Sequence, residues 1–244
     1  MTALRSLVFN VYFLLGTAAW AVALIPTLIL PRWALRRAAQ YWALSIGWVL
    51  RGAVGVRVEI RGTIPSGACV VAAKHQSVWE TLALYWLLDD AAYVLKRELT
   101  WIPVFGWYLR KNRQIVVDRG GGARALKGVI RQAAHELKAG RQVVIFPQGT
   151  RVAPGATRPY QSGAAALYAH LGVPVIPVAL NSGLVWGRRR FIKRPGRIVL
   201  EFLDPIAPGL DRKAFAADLE RRIETASDRL LAEARPAGGP GETP

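Results

Sequence analysis

Cysteine is almost absent from this sequence, which has one residue of that type, Cys69, in 244. A single cysteine excludes an internal disulfide and any zinc cluster built from cysteine ligands. Cys69 begins an apolar run at residues 69–73. We therefore expect its thiol to pack in the core.

Acidic residues are also few, with 16 Asp and Glu against 33 Lys and Arg, which gives a formal net charge of +17. This excess predicts an anionic partner, such as membrane lipid, nucleic acid, or an acidic carrier or substrate. Hydrophobic residues make up 52% of the chain, and nine residues are tryptophan. That composition favours a membrane-bound protein over a soluble nucleic-acid-binding protein.

Charge of either sign is missing from residues 7–30. A run of this length can cross a bilayer, which takes roughly 20 apolar residues. Residues 33–54 mix apolar and aromatic positions with arginines, as an interfacial helix does, and Pro26 and Pro31 separate the two segments. We expect a membrane-embedded two-helix motif over residues 1–55, and the pattern allows either a full span or insertion into one leaflet.

Short β-rich runs alternate with helical ones from residue 56 onwards, which predicts an α/β domain over residues 56–235 with a mixed central sheet flanked by helices. The Pro- and Gly-rich tail at residues 236–244 is predicted to be disordered. The predicted strands cover residues 56–60, 69–73, 92–95, 115–117, 142–146, 175–180 and 198–202. The predicted helices cover residues 78–88, 123–138, 162–171 and 212–233.

His75 follows the apolar run at residues 69–73, so we expect it at the carboxyl end of a strand, where open α/β sheets bind ligands. A helix capped by Ser77 would bring Glu80 within reach of the imidazole and leave the other ring nitrogen as a general base. Ser77-x-x-Glu80 is also a capping box, in which Glu80 only bonds the Ser77 backbone. The sequence favours neither role of Glu80 over the other.

A second loop at a predicted strand end contains Gln148, Gly149, Thr150 and Arg151. Gly149 permits close backbone approach, and Thr150 and Arg151 offer a hydroxyl and a planar guanidinium suited to phosphate. Lys96 and Arg119 follow two further predicted strands. Because these loops all end strands, we expect them to share one edge of the sheet.

These blocks resemble the conserved motifs of the glycerolipid acyltransferases, in their order and spacing. The resemblance runs from about residue 74 to residue 180 and points to the lysophosphatidic acid acyltransferase family, including its two-helix amino-terminal membrane motif. The matching blocks are His75-x-x-x-x-Glu80, Lys96-x-Glu98-Leu99 with Pro103-x-x-Gly106, Val117-Asp118-Arg119, residues 146–151 and residues 173–177.

The resemblance implies an acyltransferase that moves a fatty acyl group from acyl-CoA or an acidic acyl carrier protein to the free hydroxyl of 1-acylglycerol 3-phosphate. His75 would be the base, and Glu80 would orient it. Arg119, Arg151 and Lys96 would bind the acceptor phosphate, with Gln148, Gly149 and Thr150 also at the acceptor site. Backbone N–H groups near Gly149 are candidate oxyanion donors. No metal and no cofactor beyond the thioester co-substrate is expected.

Two positions depart from the family pattern, which usually has aspartate at position 80 and glutamate at position 148. The change at Gln148 removes a charge from the expected acceptor site, so a lyso-ornithine lipid or another lysolipid is an alternative acceptor. A non-enzymatic basic protein that binds anionic lipid is a second alternative, based on clusters such as residues 188–190. Arginines after the apolar run predict the inner membrane, with the active site facing the cytoplasm.

Overall fold

The computed structural model describes residues 1–118 and 120–234. The predicted tail at residues 236–244 and the expected phosphate ligand Arg119 lie outside the described residues. Seven helices are numbered in chain order within the described residues: α1 Thr2–Ala23, α2 Arg32–Val49, α3 Trp79–Leu87, α4 Phe105–Lys111, α5 Gly122–Lys138, α6 Ser162–Leu171 and α7 Arg212–Glu233.

Seven strands form one mixed sheet in the order β1-β7-β6-β2-β5-β3-β4. All neighbouring strands are parallel except β6 and β7. The sheet and the flanking helices confirm the predicted fold class. The strands are β1 Val56–Arg61, β2 Cys69–Ala73, β3 Ala91–Lys96, β4 Ile115–Val117, β5 Gln142–Ile145, β6 Val175–Leu180 and β7 Gly196–Phe202.

The central strand β2 is buried at every position, and its side chains alternate between two hydrophobic layers. Val71 and Ala73 belong to the layer that contains α1, α2 and α3. Val70 and Ala72 belong to the layer that contains α5, α6 and α7. The expected burial of Cys69 is confirmed, and desolvation raises the pKa of its thiol to about 11.

The amino-terminal helices form the predicted pair. Helix α1 has 22 residues, and it is the one helix in the described parts of the chain that is long and apolar enough to cross a membrane. Its Phe9 is fully buried in the same cluster as Ile46 and Leu50 of the second helical segment and Trp79 of α3. The helical pair and the α/β domain therefore share one core.

Helix α4 was not among the predicted elements. It begins after Val104, which has a positive φ of 63°. At Gly106 a Cβ atom would lie 2.1 Å from the carbonyl oxygen of Thr100, so only glycine fits this turn. This contact explains why the chain needs glycine in the Pro103-x-x-Gly106 block.

Candidate active site

The candidate site lies at the carboxyl edge of the parallel strands β2, β5, β3 and β4, where the sequence places it. His75 follows β2 by two residues, Lys96 ends β3, and residues 146–151 follow β5. Neighbouring parallel strands end at the same edge, so the sheet brings these loops together. Arg119 follows β4 but is not described.

The His75 ring is hydrogen-bonded to the Glu80 carboxylate. Its Nδ1 lies 2.8 Å from Glu80 Oε1, and the exposed fractions of the two side chains are 16% and 0%. With a carboxylate on Nδ1, the ring carries its proton there, which leaves Nε2 as the nitrogen able to accept a proton. The geometry therefore fits the arrangement expected of a base and its orienting acid.

Glu80 also makes the capping contacts. Its Oε1 accepts hydrogen bonds of 2.6 Å from the backbone N–H groups of Gln76 and Ser77. Helix α3 begins at Trp79, two residues after the expected cap, and the Ser77 hydroxyl accepts from the Trp79 N–H at 3.1 Å. The two alternatives for Glu80 are thus both present, because one oxygen serves the helix start and the imidazole.

The loop after β5 packs directly on the histidine. The Phe146 ring stacks on the His75 ring, with centroids 4.0 Å apart and an interplanar angle of 17°. The Val152 N–H donates to the His75 carbonyl at 2.8 Å. These contacts fix the plane of the imidazole and join the His75 loop to the loop after β5.

Gln148 is 1% exposed, and neither its Oε1 nor its Nε2 has a hydrogen-bond partner within the described residues. A buried amide without partners is costly in a folded protein, so a ligand that both donates and accepts would stabilise it. This orphaned amide supports the expected acceptor site around Gln148.

The backbone around Gly149 shows which N–H groups near this residue are free of other partners within the described residues. Gly149 has a φ of 67°, and its N–H already donates to the Phe146 carbonyl at 2.9 Å. The next two N–H groups, of Thr150 and Arg151, donate to no oxygen within the described residues. They are therefore better candidates than Gly149 for stabilising a developing negative charge.

Two cationic side chains differ in their settings. Arg151 is half-buried, and desolvation together with the charge of Arg188 lowers the pKa of its guanidinium. Lys96 is exposed at the end of β3. The next residue, Arg97, pairs with Asp118 at 2.8 Å, which ties the ends of β3 and β4 together.

Ser182 was not among the predicted site residues, but it is fully buried and its hydroxyl donates to Glu80 Oε2 at 2.7 Å. The next N–H, of Gly183, donates to Gln76 Oε1 at 3.0 Å. Both residues follow β6, a parallel neighbour of β2. The polar run after that buried strand was the available signal, because β6 ends at the same edge as β2.

Comparisons with known proteins agree with this geometry. The profile of the Acyltransferase family matches residues 55–181. A 1-acyl-sn-glycerol-3-phosphate acyltransferase from Pseudomonas aeruginosa is 35% identical, over 96% of this chain and 93% of its own. A lyso-ornithine lipid O-acyltransferase from the same organism is 27% identical over 87% of each chain.

The fold also has a solved counterpart. The crystal structure of the 1-acyl-sn-glycerophosphate acyltransferase PlsC from Thermotoga maritima aligns with a TM-score of 0.75, over 98% of this chain and all of that one. At 24% sequence identity, this likeness concerns the fold alone. The family profile and the 35% identical relative go further, and on their evidence this chain belongs to the acyltransferase family of the 1-acyl-sn-glycerol-3-phosphate acyltransferases.

Proposed function

We propose that this enzyme transfers a fatty acyl group from acyl-CoA or acyl carrier protein to the sn-2 hydroxyl of 1-acylglycerol 3-phosphate, giving phosphatidic acid for phospholipid synthesis. The observation that carries the proposal is the His75–Glu80 pair at the sheet edge, with Arg151 in the neighbouring loop. The 35% identical relative, which bears this activity in its name, supports the choice of acceptor.

His75 acts as a general base in the proposed reaction. Its Nε2 takes the proton of the acceptor hydroxyl while that oxygen attacks the thioester carbonyl. The carbon–sulfur bond then breaks, the ester forms, and the thiolate that leaves takes the proton from the imidazolium. Glu80 stabilises the imidazolium between these steps, and the N–H groups of Thr150 and Arg151 face the oxyanion. The proposed reaction involves neither a covalent acyl-enzyme nor a cofactor.

The acceptor phosphate binds Arg151, with Arg119 and Lys96 as further ligands in this proposal. Guanidinium groups suit a phosphomonoester because they offer paired, charge-assisted hydrogen bonds. The Gln148 amide binds a neutral group of the acceptor, which can donate to Oε1 and accept from Nε2. A second candidate is acylation of a lyso-ornithine lipid, which the uncharged Gln148 and the second Pseudomonas relative favour.

The helical pair holds the enzyme on the membrane, which we propose is the inner membrane with the site facing the cytoplasm. The first part of α1 is fixed to the domain, because Ser6 and Phe9 are buried and Asn10 bonds the Phe191 carbonyl at 2.9 Å. These contacts leave too little of α1 free to cross a bilayer alone. We therefore favour insertion into one leaflet.

An acceptor panel tests the proposed function. Purified protein is supplied with acyl-CoA or acyl carrier thioester and with 1-acylglycerol 3-phosphate, other lysophospholipids and lyso-ornithine lipid. We expect the highest kcat/KM with 1-acylglycerol 3-phosphate. His75→Ala should lose roughly 10²-fold to 10⁴-fold in turnover and remain membrane-bound. Preference for lyso-ornithine lipid would replace the proposed acceptor, and a fully active His75→Ala protein would exclude the proposed base.

A further inference from the structure

The arginine loop, which we define as residues 187–192, lies between the end of β6 and the start of β7. Its three arginines, Arg188, Arg189 and Arg190, are exposed. None of them pairs with an acidic side chain within residues 1–118 and 120–234. Three neighbouring guanidinium groups without a counter-charge form a strong local attraction for an anion.

The loop is held by a buried ammonium group. Lys193 is 4% exposed, and its Nζ donates to the carbonyls of Arg190 at 2.8 Å and Phe191 at 3.1 Å. The same Nζ lies 5.9 Å from the centre of the Phe9 ring and 5.7 Å from that of Trp186. Burial lowers the pKa of Lys193. These contacts give the backbone of the arginine loop a defined position.

The same loop is attached to the membrane helix α1. Ser6 Oγ accepts the Lys193 backbone N–H at 3.0 Å, and Asn10 donates to the Phe191 carbonyl. Helix α1 exposes large apolar side chains, among them Leu4 and Leu14, and Phe191 and Ile192 of the loop are exposed too. The arginines therefore stand next to the surface that meets lipid.

On its other side, the arginine loop reaches the candidate active site. The Arg188 guanidinium donates to the Arg151 carbonyl at 3.4 Å, and the charges of Arg188 and Arg189 act on the Arg151 side chain. Arg189 has a φ of 55°, in the left-handed region that side chains other than glycine rarely adopt. Strain of this kind is typical of functional loops, where surrounding contacts impose it.

We propose that Arg188 and Arg189 form a second phosphate-binding site between the lipid-facing helix and Arg151. This second site binds the phosphomonoester of the lysolipid acceptor. The inference rests on the proposed function, because it assigns a further ligand set to the same acceptor. A phosphomonoester carries close to two negative charges and three acceptor oxygens, so it can bridge several guanidinium groups. The loop's position makes this site the first cationic contact for a headgroup arriving from the membrane.

The test compares steady-state kinetics of the full chain and of Arg188→Gln/Arg189→Gln in neutral detergent micelles, with 1-acylglycerol 3-phosphate and acyl-CoA. We expect the KM for the acceptor to rise roughly 10-fold or more, as for lost hydrogen bonds to a charged group. The donor KM and kcat should stay within about twofold. Arg188→Lys/Arg189→Lys should recover part of the loss, because it keeps the charge without the paired geometry.

A matched control removes two charges elsewhere. Arg131 and Lys138 are exposed on α5. This helix leads from the carboxyl end of β4 to the amino end of β5, so its second half lies away from the site. Arg131→Gln/Lys138→Gln should leave the acceptor KM unchanged. An equal rise of the acceptor KM in this control would show that the effect comes from the net charge of the protein, which would overturn the proposed site.

The remaining outcomes separate the site from the proposed function. If the unmodified protein is active and the double variant has an unchanged KM for the acceptor, the second site is overturned and the proposed function stands. If the double variant instead has a raised KM for the donor, these arginines bind the phosphates of the donor. An unmodified protein that acylated no lysolipid would refute the proposed function and this site with it. Arg189→Gly suits the positive φ and removes one guanidinium without backbone strain, so a raised acceptor KM in that variant supports the site even if the double variant misfolds.

Discussion

At the scale of single residues, the Glu80 carboxylate is the point on which the candidate site depends. Four donors converge on it: the His75 ring, two backbone N–H groups and the Ser182 hydroxyl. It is fully buried, so none of these bonds competes with bulk water. One side chain thus shapes the loop, starts α3 and orients the imidazole. A substitution that removes the charge of Glu80 and keeps its shape separates the structural roles from the catalytic one.

Glu80→Gln should keep the fold and lose turnover. The amide oxygen can accept the bonds that Glu80 Oε1 accepts, and the Ser182 hydroxyl can turn to accept from the amide nitrogen. The charge that stabilises the imidazolium is lost, so we expect kcat to fall by roughly 10²-fold or more with little change in the thermal midpoint. Glu80→Asp, which restores the family's usual acid, should retain substantial activity.

Ser182→Ala serves as the matched control for that prediction. It keeps the carboxylate and its contact with His75 and removes only the donor to Oε2, so it should cost less turnover than Glu80→Gln. Activity of Glu80→Gln equal to that of the unmodified enzyme would show that His75 works without a charged partner. Glu80 would then be a capping residue alone.

At the scale of elements, the sequence predicted every strand to within two residues at each end and four of the helices closely. The reason is burial: β2 and β6 are buried at every position and so appear as uninterrupted apolar runs. Helix α4 could not be predicted in the same way, because its seven residues depend on the approach of Gly106 to Thr100. Ser182 was missed because its role depends on the non-local pairing of β6 with β2.

Helix α7 is joined to the end of β2 by a partly buried ion pair that the sequence did not indicate. The Lys74 side chain is 3% exposed, and its Nζ lies 2.5 Å from Glu224 Oε2. Glu224 Oε1 accepts from the Tyr160 hydroxyl at 2.8 Å, and burial together with this carboxylate raises the Tyr160 pKa far above its usual range. The residue before His75 is thus held by a helix more than 100 positions later.

Glu224→Leu should destabilise the protein by about 2–4 kcal/mol, because it leaves the Lys74 ammonium buried without a partner. This range lies below the usual one for a fully buried pair, since the Glu224 side chain is 25% exposed. Lys74→Met/Glu224→Leu should recover most of the loss by removing both charges. Denaturant unfolding in detergent of the unmodified protein, Lys74→Met, Glu224→Leu and the double variant forms the cycle. A loss in the double variant equal to the sum of the two single losses would show that the pair itself contributes nothing.

At the scale of the whole molecule, the membrane motif is also part of the fold. Phe9, Ile46, Leu50 and Val54 are at most 1% exposed and belong to the core cluster around Trp79. At roughly 1.5–3 kcal/mol for each large buried side chain, these four contribute about 6–12 kcal/mol. That is comparable with the whole stability of a typical domain. A chain truncated to begin at Arg57 should therefore aggregate, and it would not report on membrane attachment.

Attachment is better tested on the exposed face of the helical pair, where substitutions leave the core intact. Leu14, Val22 and Ile29 are 70%, 67% and 89% exposed, so a serine at each removes only the apolar surface offered to lipid. We expect Leu14→Ser/Val22→Ser/Ile29→Ser to be extracted from membranes by high salt, because the remaining electrostatic adhesion is screened.

Val58→Ser/Ile64→Ser/Leu210→Ser is the matched control, since these side chains are 43%, 40% and 45% exposed outside the helical pair. The control should stay membrane-bound. If the helical variant also stayed bound after high salt, while its melting temperature matched that of the control, another surface would have to hold the enzyme on the bilayer.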